Sequence, residues 1–370
     1  MATIALDASY IFDKYPTGIA IYCRRLIESL AELDSAHRFH ICYRLSRIGR
    51  RREFLCPADR RFSVHLFQRP LTFWQPWRAE VFHSLAQRPP AFRFRHEVVT
   101  IHDVFPITGP EYSTPGFQRR FSRLLRQALE RAERVLVLSE YTAGQVIKHC
   151  GVARERIRVV PGGVDPPLLR LSPEQRLRER ERRVGEGNEL LLAVGVVDNR
   201  KNVVGSLRAL QLLPERYRLV LAGGDGYGAE KVHEFVTNQK LESRVLRLGY
   251  VTRIELAALF QSASALLFPS LEEGFGFPML EAMANGLPVV TSRTSALPEV
   301  GGDAALYADP HDPADIAAKT RSAVEDDGLR RQMIEKGLAR AAAFTWRRTA
   351  QGILRVYDEM AGGRGRGLRR

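Results

Sequence analysis

The stretch Ala265-Leu266-Leu267-Phe268-Pro269-Ser270-Leu271-Glu272-Glu273-Gly274-Phe275-Gly276-Phe277-Pro278-Met279-Leu280-Glu281-Ala282-Met283-Ala284 decides the fold. The apolar run Ala265 to Pro269 reads as a buried strand, and a glycine-bearing loop follows it. Pro278 stands where a first helical position belongs, so Phe277 to Ala284 reads as a helix. The free N–H groups of such a helix start favour an anion, typically a phosphate. Gly274 and Gly276 let backbone approach a ligand closely. Glu273 on the loop and Glu281 in the first helical turn can face one ligand from two heights, and carboxylates accept hydrogen bonds from neighbouring hydroxyls. A capped core helix behind a glycine turn is the plain alternative. The coincidence of proline, glycines and paired carboxylates in one run argues against it.

The same alternation continues outward on both sides. Towards the C-terminal half, strands are expected at Leu190–Val194, Arg218–Ala222, Val245–Leu248 and Val289–Thr291, with helices at Asn202–Leu212, Ala229–Gln239 and Arg253–Gln261. Towards the N-terminus, Thr3–Ala8, Phe39–Tyr43, Val64–Phe67, Val98–Ile101, Val135–Leu138 and Arg156–Val160 read as strands. Gly18–Leu33, Phe117–Arg134 and Tyr141–Cys150 read as helices between them. Pro166, Pro167, Pro173 and the charged run Arg176 to Arg183 separate the two series. The class is α/β: two doubly wound, Rossmann-like parallel-sheet domains facing a cleft, with sites at the carboxyl ends of the strands. The expected bounds are a first domain over 1–166, a linker over 167–187 carrying one surface helix, and a second domain over 188–345. A Gly/Arg tail over 362–370 is expected to be disordered.

Composition fits this. The chain has 370 residues, 45% hydrophobic and 26% charged, which excludes a disordered chain, a collagen-like fibre and a small disulfide scaffold. The formal net charge is +14, and 49 of the 56 basic residues are Arg. Up to Asp165 there are 26 basic and 16 acidic residues, so the excess lies mainly in the first half and in the tail. Cys23, Cys42, Cys56 and Cys150 form no C-x-x-C pair, which gives neither a metal set nor a disulfide framework and suits a reducing, cytoplasmic setting. The first residues lack the pattern of a signal peptide, and no apolar run is long enough to span a membrane.

Three further elements carry chemistry. Arg200-Lys201 stands between a strand and a helix, where a planar fork and a point charge together suit a diphosphate; a solvated basic loop is the alternative. Tyr15-Pro16-Thr17-Gly18-Ile19 offers a glycine turn and a helix start after the first strand. His102-Asp103 closes the Val98–Ile101 strand, and the other eight histidines show no ligand spacing. Gly223 to Gly228 lacks the order and the acidic partner of a dinucleotide fingerprint. Ser139 lacks the flanking glycines of a nucleophile elbow.

Together these motifs resemble the retaining glycosyltransferases of family 4, which have the GT-B fold, and among them the bacterial mannosyltransferases. Glu273 and Glu281 match the E-x7-E motif; Arg200, Lys201 and Asn202 match R-K-N. Thr17-Gly18-Ile19, His102-Asp103, Val160 to Asp165 and Gly249-Tyr250-Val251 match further elements. Phe344-Thr345-Trp346, with Ala350 and Tyr357, matches the last helix, which in this fold crosses back onto the first domain and is expected over 346–361. The first loop has one glycine, Gly18, where many relatives have a pair, and Glu273 rather than Glu272 is in register.

The resemblance implies a nucleotide-sugar donor and no cofactor or metal. Arg200 and Lys201 would hold the diphosphate, with Gly18 closing on it. Glu281 would bind ribose, Val251 the base, and Glu273 the donor sugar. Backbone around Gly274, Phe275, Gly276 and Phe277 would contact phosphate or sugar, and His102 with Asp103 would face the acceptor. GDP-mannose is the first expectation for the donor and a UDP-sugar the second. The acceptor would be a saccharide or a polyprenyl-diphosphate-saccharide. A nucleic-acid-binding protein is the reading from another class; it would need arginines interleaved with aromatics on a stacking surface, which is not evident. The segment Phe117 to Leu129, with Arg119, Arg120, Arg123 and Arg126 opposite an apolar side, is the pattern of a helix lying on an anionic membrane, peripheral at its inner face; a domain helix with solvated arginines is the alternative.

Overall fold

The computed structural model describes residues 1–12, 17–67, 79–90 and 92–362. Tyr15-Pro16 and the basic tail beyond Gly362 lie outside the described residues. The chain forms two compact units: Met1–Thr108, Gly116–Gly163 and Thr345–Arg370 in the first, Gly109–Pro115 and Val164–Phe344 in the second.

The first unit is built on seven parallel strands: β1 (Thr3–Asp7), β2 (Arg38–Tyr43), β3 (Phe62–Leu66), β4 (Val81–Ser84), β5 (His96–Ile101), β6 (Arg134–Val137) and β7 (Ile157–Val159). Their order is β3-β2-β1-β4-β5-β6-β7. The second unit has six: β8 (Glu189–Val194), β9 (Tyr217–Ala222), β10 (Val245–Gly249), β11 (Ala265–Phe268), β12 (Val289–Ser292) and β13 (Leu306–Ala308), in the order β10-β9-β8-β11-β12-β13. All pairings are parallel, and both orders reverse direction once, at β1/β4 and at β8/β11. Loops leaving the two strands at such a reversal diverge and leave a crevice.

Helix Gly18–Glu32 buries Tyr22, Cys23, Leu26, Ile27 and Leu30, the face expected from its 3.6-residue spacing. Helix Pro115–Arg131 buries Phe121, Leu125, Ala128 and Leu129 in a core with Val99, Val135 and Val137. Its apolar side is therefore used inside the first unit. Arg119, Arg120, Arg123 and Arg126 are exposed and have no carboxylate at ion-pair distance among the described residues. The C-terminal helix Trp346–Gly362 belongs to the first unit, burying Trp346, Ile353 and Tyr357 there.

Two strands are absent from the sequence reading. β4 is four residues long, and its Val81-Phe82-His83-Ser84 is wholly buried, so it shows no alternation; it is nonetheless next to the reversal. β13 is three residues at the sheet edge. The stretch 167–187, expected as a linker with one surface helix, holds helix Pro173–Val184, started by a capping box of Ser172 and Gln175. It docks within the second unit: the Arg180 Nε donates to the Ser262 carbonyl at 2.9 Å, and the Leu171 N–H to Gln261 Oε1 at 2.9 Å.

Gly163 lies where a Cβ would collide with the Thr345–Trp346 backbone, 2.7 Å from the Thr345 carbonyl carbon. Backbone cannot yield as a side chain can. Gly163→Ala is expected to lower Tm by several degrees in thermal denaturation. Gly144→Ala, in open space on helix Glu140–Cys150, is expected to raise it slightly, because alanine costs less to order than glycine.

Candidate active site

The β8/β11 reversal places two loops side by side. After β8 the chain passes Gly195 and enters a single helical turn, Asn199–Lys201, capped by Asp198, whose Oδ1 accepts from the Lys201 N–H at 2.8 Å. Asn202 closes the turn in the left-handed region, φ 54°, and its Nδ2 donates to the carbonyls of Pro269 (3.1 Å) and Pro310 (2.7 Å). After β11 the loop Pro269–Gly276 comes back against that turn, and the Leu271 N–H donates to the Arg200 carbonyl at 2.8 Å.

The side chains meet at Glu273. Lys201 Nζ lies 2.5 Å from its Oε1, and Arg200 Nη1 lies 3.0 Å from its Oε2. Arg200 Nη1 also donates to the Glu272 carbonyl at 2.6 Å. The Lys201 ammonium sits 4.5 Å from the Phe268 ring centroid, over its face, a contact that favours a desolvated cation. The Glu273 N–H donates to Ser295 Oγ at 3.0 Å, which fixes the backbone under the carboxylate. Glu273 is only 8% exposed. Burial alone would raise its carboxyl, but the adjacent Arg200 and Lys201 charges override that and hold it down at about 2. Burial pulls Lys201 down from its usual value, and Glu273 opposes that pull.

Helix Phe277–Ala284 starts at Gly276, whose φ of 99° and whose closeness to Leu297 Cδ2 (2.8 Å from a built Cβ) both call for glycine. No side chain caps this helix start. Glu281 is in the second turn, not the first as the sequence reading had it, because the helix begins at Phe277. Its half-buried carboxyl is pushed up to about 7 by burial and by Asp165, with Arg253 acting against them. Arg253 Nη2 pairs with Asp165 Oδ2 at 2.5 Å. Gly274 and Phe275 lie in the buried loop, and the Phe275 ring packs on Phe277 (4.9 Å) and Phe344 (5.9 Å). Val251 is half-buried between β10 and helix Arg253–Ser262.

His102, Asp103 and Gly18 belong to the first unit. Gly18 is the exposed first residue of its helix, with Thr17 as N-cap. His102 follows β5 and is buried; its Nε2 lies 2.9 Å from the Leu85 carbonyl, which accepts from an Nε2–H. Burial lowers the ring to about 4, so it is neutral at pH 7 and Nδ1 keeps its lone pair.

Sequence reasoning missed Asp198, Ser295 and Glu111. An Asp three residues before Lys201 is a legible cap. Ser295, in a left-handed conformation, has no local signature. The segment Gly109–Pro115 belongs to the second unit, and Asn199 Nδ2 donates to the Glu111 carbonyl at 3.3 Å, an 88-residue separation that no local pattern reports.

Two parallel-sheet units, one with a cation–carboxylate cluster at its strand reversal beside a helix start that no side chain caps, are the architecture of a GT-B glycosyltransferase. The comparisons agree. The family Glycosyl transferases group 1 matches residues 175–340, and Glycosyltransferase Family 4 matches residues 16–167. The chain is 30% identical over 368 residues to O-antigen chain mannosyltransferase B of Escherichia coli, covering 93% of this chain and 97% of that one. It is 29% identical over 262 residues to the serotype-specific mannosyltransferase WbdA of Escherichia coli, covering 68% of this chain and 32% of that longer protein. Sucrose-phosphate synthase from Thermosynechococcus elongatus has the same fold, with a TM-score of 0.76 and 20% identity, over 98% of this chain and 100% of that one. The chain belongs to the family 4, group 1 glycosyltransferases.

Two stability tests follow from the carboxylates. Glu273→Gln strands two buried cations and is expected to cost about 3 kcal/mol at pH 7 by denaturant titration. Because its folded value is depressed, the stabilisation from Glu273 is complete above the ordinary value of 4.5 and is lost as pH falls towards 2, so wild type and variant converge in acid. Glu281 has the opposite sign. Its folded value is raised, so the ionised group opposes folding above pH 7; Glu281→Gln is expected to raise Tm at pH 8 and to leave it unchanged near pH 4.

Proposed function

We propose that the chain transfers a hexose, in the first instance mannose from GDP-mannose, with retention of configuration and without a metal ion. The acceptor in this reading is a saccharide or polyprenyl-diphosphate-linked saccharide of a surface polysaccharide. The observation that carries it is the Glu273–Lys201–Arg200 cluster, in a chain matched along 93% of its length by an O-antigen chain mannosyltransferase.

The roles follow from the chemistry. Lys201 and Arg200, desolvated and held apart from water, are ready to take up the negative charge that develops on the leaving nucleoside diphosphate. Glu273 holds the two cations in place before the donor arrives, and at about 2 it is too weak a base to act as one; it accepts hydrogen bonds from donor-sugar hydroxyls. The start of helix Phe277–Ala284, which has Gly276 at its N-cap position, turns its positive dipole end towards the phosphates. Glu281 accepts from ribose hydroxyls, and Val251 borders the base. His102, with Nδ1 as acceptor, receives a sugar hydroxyl, and Asp103 stands next to it on the acceptor side.

Turnover measured with GDP-mannose and a lipid-linked saccharide is expected to persist in EDTA and to fall at least about 100-fold in Lys201→Ala and Glu273→Ala. Full activity in either variant would overturn the site. Calorimetry with GDP, UDP and ADP identifies the base. Because Glu281 must be ionised to accept two hydroxyls, nucleotide affinity is expected to weaken as pH falls through about 7, and Glu281→Gln is expected to flatten that dependence.

We place the enzyme at the inner face of the cell membrane. No helix among the described residues is long and apolar enough to cross a membrane. Helix Pro115–Arg131 turns its apolar side inward, so contact with lipid falls to its exposed arginines and to Phe117, which is 48% exposed. Co-sedimentation with anionic but not neutral vesicles at low salt, lost on reversing Arg119 and Arg123 to Glu, is the expected result. Equal binding to both vesicles would refute it.

A further inference from the structure

The first unit contains a buried polar chain that no role assigned above uses. Tyr357, on the C-terminal helix, has its hydroxyl 2.6 Å from His83 Nδ1. His83 Nε2 lies 2.8 Å from Thr100 Oγ1. The Tyr22 ring lies nearly perpendicular to the His102 ring, with centroids 4.8 Å apart and an interplanar angle of 87°. His83 and Thr100 are fully buried, as is Tyr357, and Tyr22 is 1% exposed. Burial keeps His83 neutral, at about 3. A polar chain inside an apolar core is costly unless it is satisfied, and once satisfied it admits few arrangements.

Its geometry bears on His102 from two sides. The His83–Thr100 bond ties β4 to β5 one strand position short of where each leaves the sheet. Leu85, which follows β4, supplies the carbonyl that holds His102 Nε2, and His102 itself follows β5. The cross-strand bond thereby sets where the carbonyl stands against the ring. Tyr22 packs against the imidazole with the two rings nearly perpendicular, and it rides on the helix that begins at Gly18.

We propose that Tyr357, His83, Thr100 and Tyr22 are positioning residues that set the orientation of His102, so that docking of the C-terminal helix is felt at the imidazole. This rests on the reading of His102 as a substrate-contacting group. A static packing role predicts a different outcome from a relay, since packing losses lower stability without singling out one ring.

The test is a double-mutant cycle on the full chain, measuring turnover and donor KM for T100V, Y357F, H102A and the two combinations with H102A. T100V and Y357F are each expected to lower kcat about tenfold, with donor KM within about twofold, and to lower activity no further once H102A is present. The imidazole nitrogen resonances of His102 are expected to shift in both variants, although neither change touches the ring. Losses that multiply in the combinations, or unmoved His102 resonances with activity that tracks the folded fraction, would overturn the relay. If H102A alone keeps wild-type turnover, the substrate contact assigned to His102 is wrong; the resonance shifts then still decide whether the chain orients the ring.

Discussion

A buried carboxylate between two buried cations is the constraint on which the rest of the second unit depends. Glu273, Lys201 and Arg200 come from segments more than seventy residues apart, and each is costly to desolvate alone. The surrounding structure serves to keep them together. The β8/β11 reversal brings the two loops side by side, Asp198 caps one, Asn202 staples it to Pro269, and Ser295 holds the Glu273 backbone. Gly195, with φ 117°, leaves the room that a side chain would take from Lys201, whose Cε lies 3.3 Å from a built Cβ. These contacts leave the three charged groups little freedom to rearrange.

Two glutamates eight residues apart are driven in opposite directions. Glu273 has cations on both oxygens and remains ionised throughout the physiological range. Glu281 has burial and Asp165 against its charge, and only Arg253 for it, which leaves it near 7. Environments that push paired carboxylates apart are a mark of divided roles. One is a fixed charge that organises its neighbours; the other changes its hydrogen-bonding character over a pH range that the cell can reach.

Most of this was legible in the sequence where the signal is local. The strand-loop-helix from Ala265 to Ala284 names its own proline, glycines and carboxylates, and helix Phe277–Ala284 has the expected ends. Arg200-Lys201 is legible because adjacent cations before a helix are unusual. What escaped was non-local. β4 is short and wholly buried, so it lacks the alternation that marks a half-exposed strand. Glu111 reaches Asn199 only because Gly109–Pro115 belongs to the second unit. The helix Pro173–Val184 was legible within the linker, but its docking through Arg180 to the Ser262 carbonyl was not, because that contact spans 82 residues.

The same distinction governs the basic helix of the first unit. Its sequence shows an amphipathic pattern, and pattern alone allows either an apolar face in lipid or an apolar face in a core. Burial of Phe121, Leu125, Ala128 and Leu129 settles which face is spent inside. What remains outward is a row of arginines with no carboxylate partner among the described residues. A net charge of +14 is a global number, but its consequences are local. In the second unit two buried cations share one buried glutamate, whereas Arg119, Arg120, Arg123 and Arg126 of the first are exposed to water, where their field extends about 10 Å at moderate salt. Such a surface attracts polyanions through charge and not through apolar insertion. Binding of a polyanion to such a surface should weaken as salt rises.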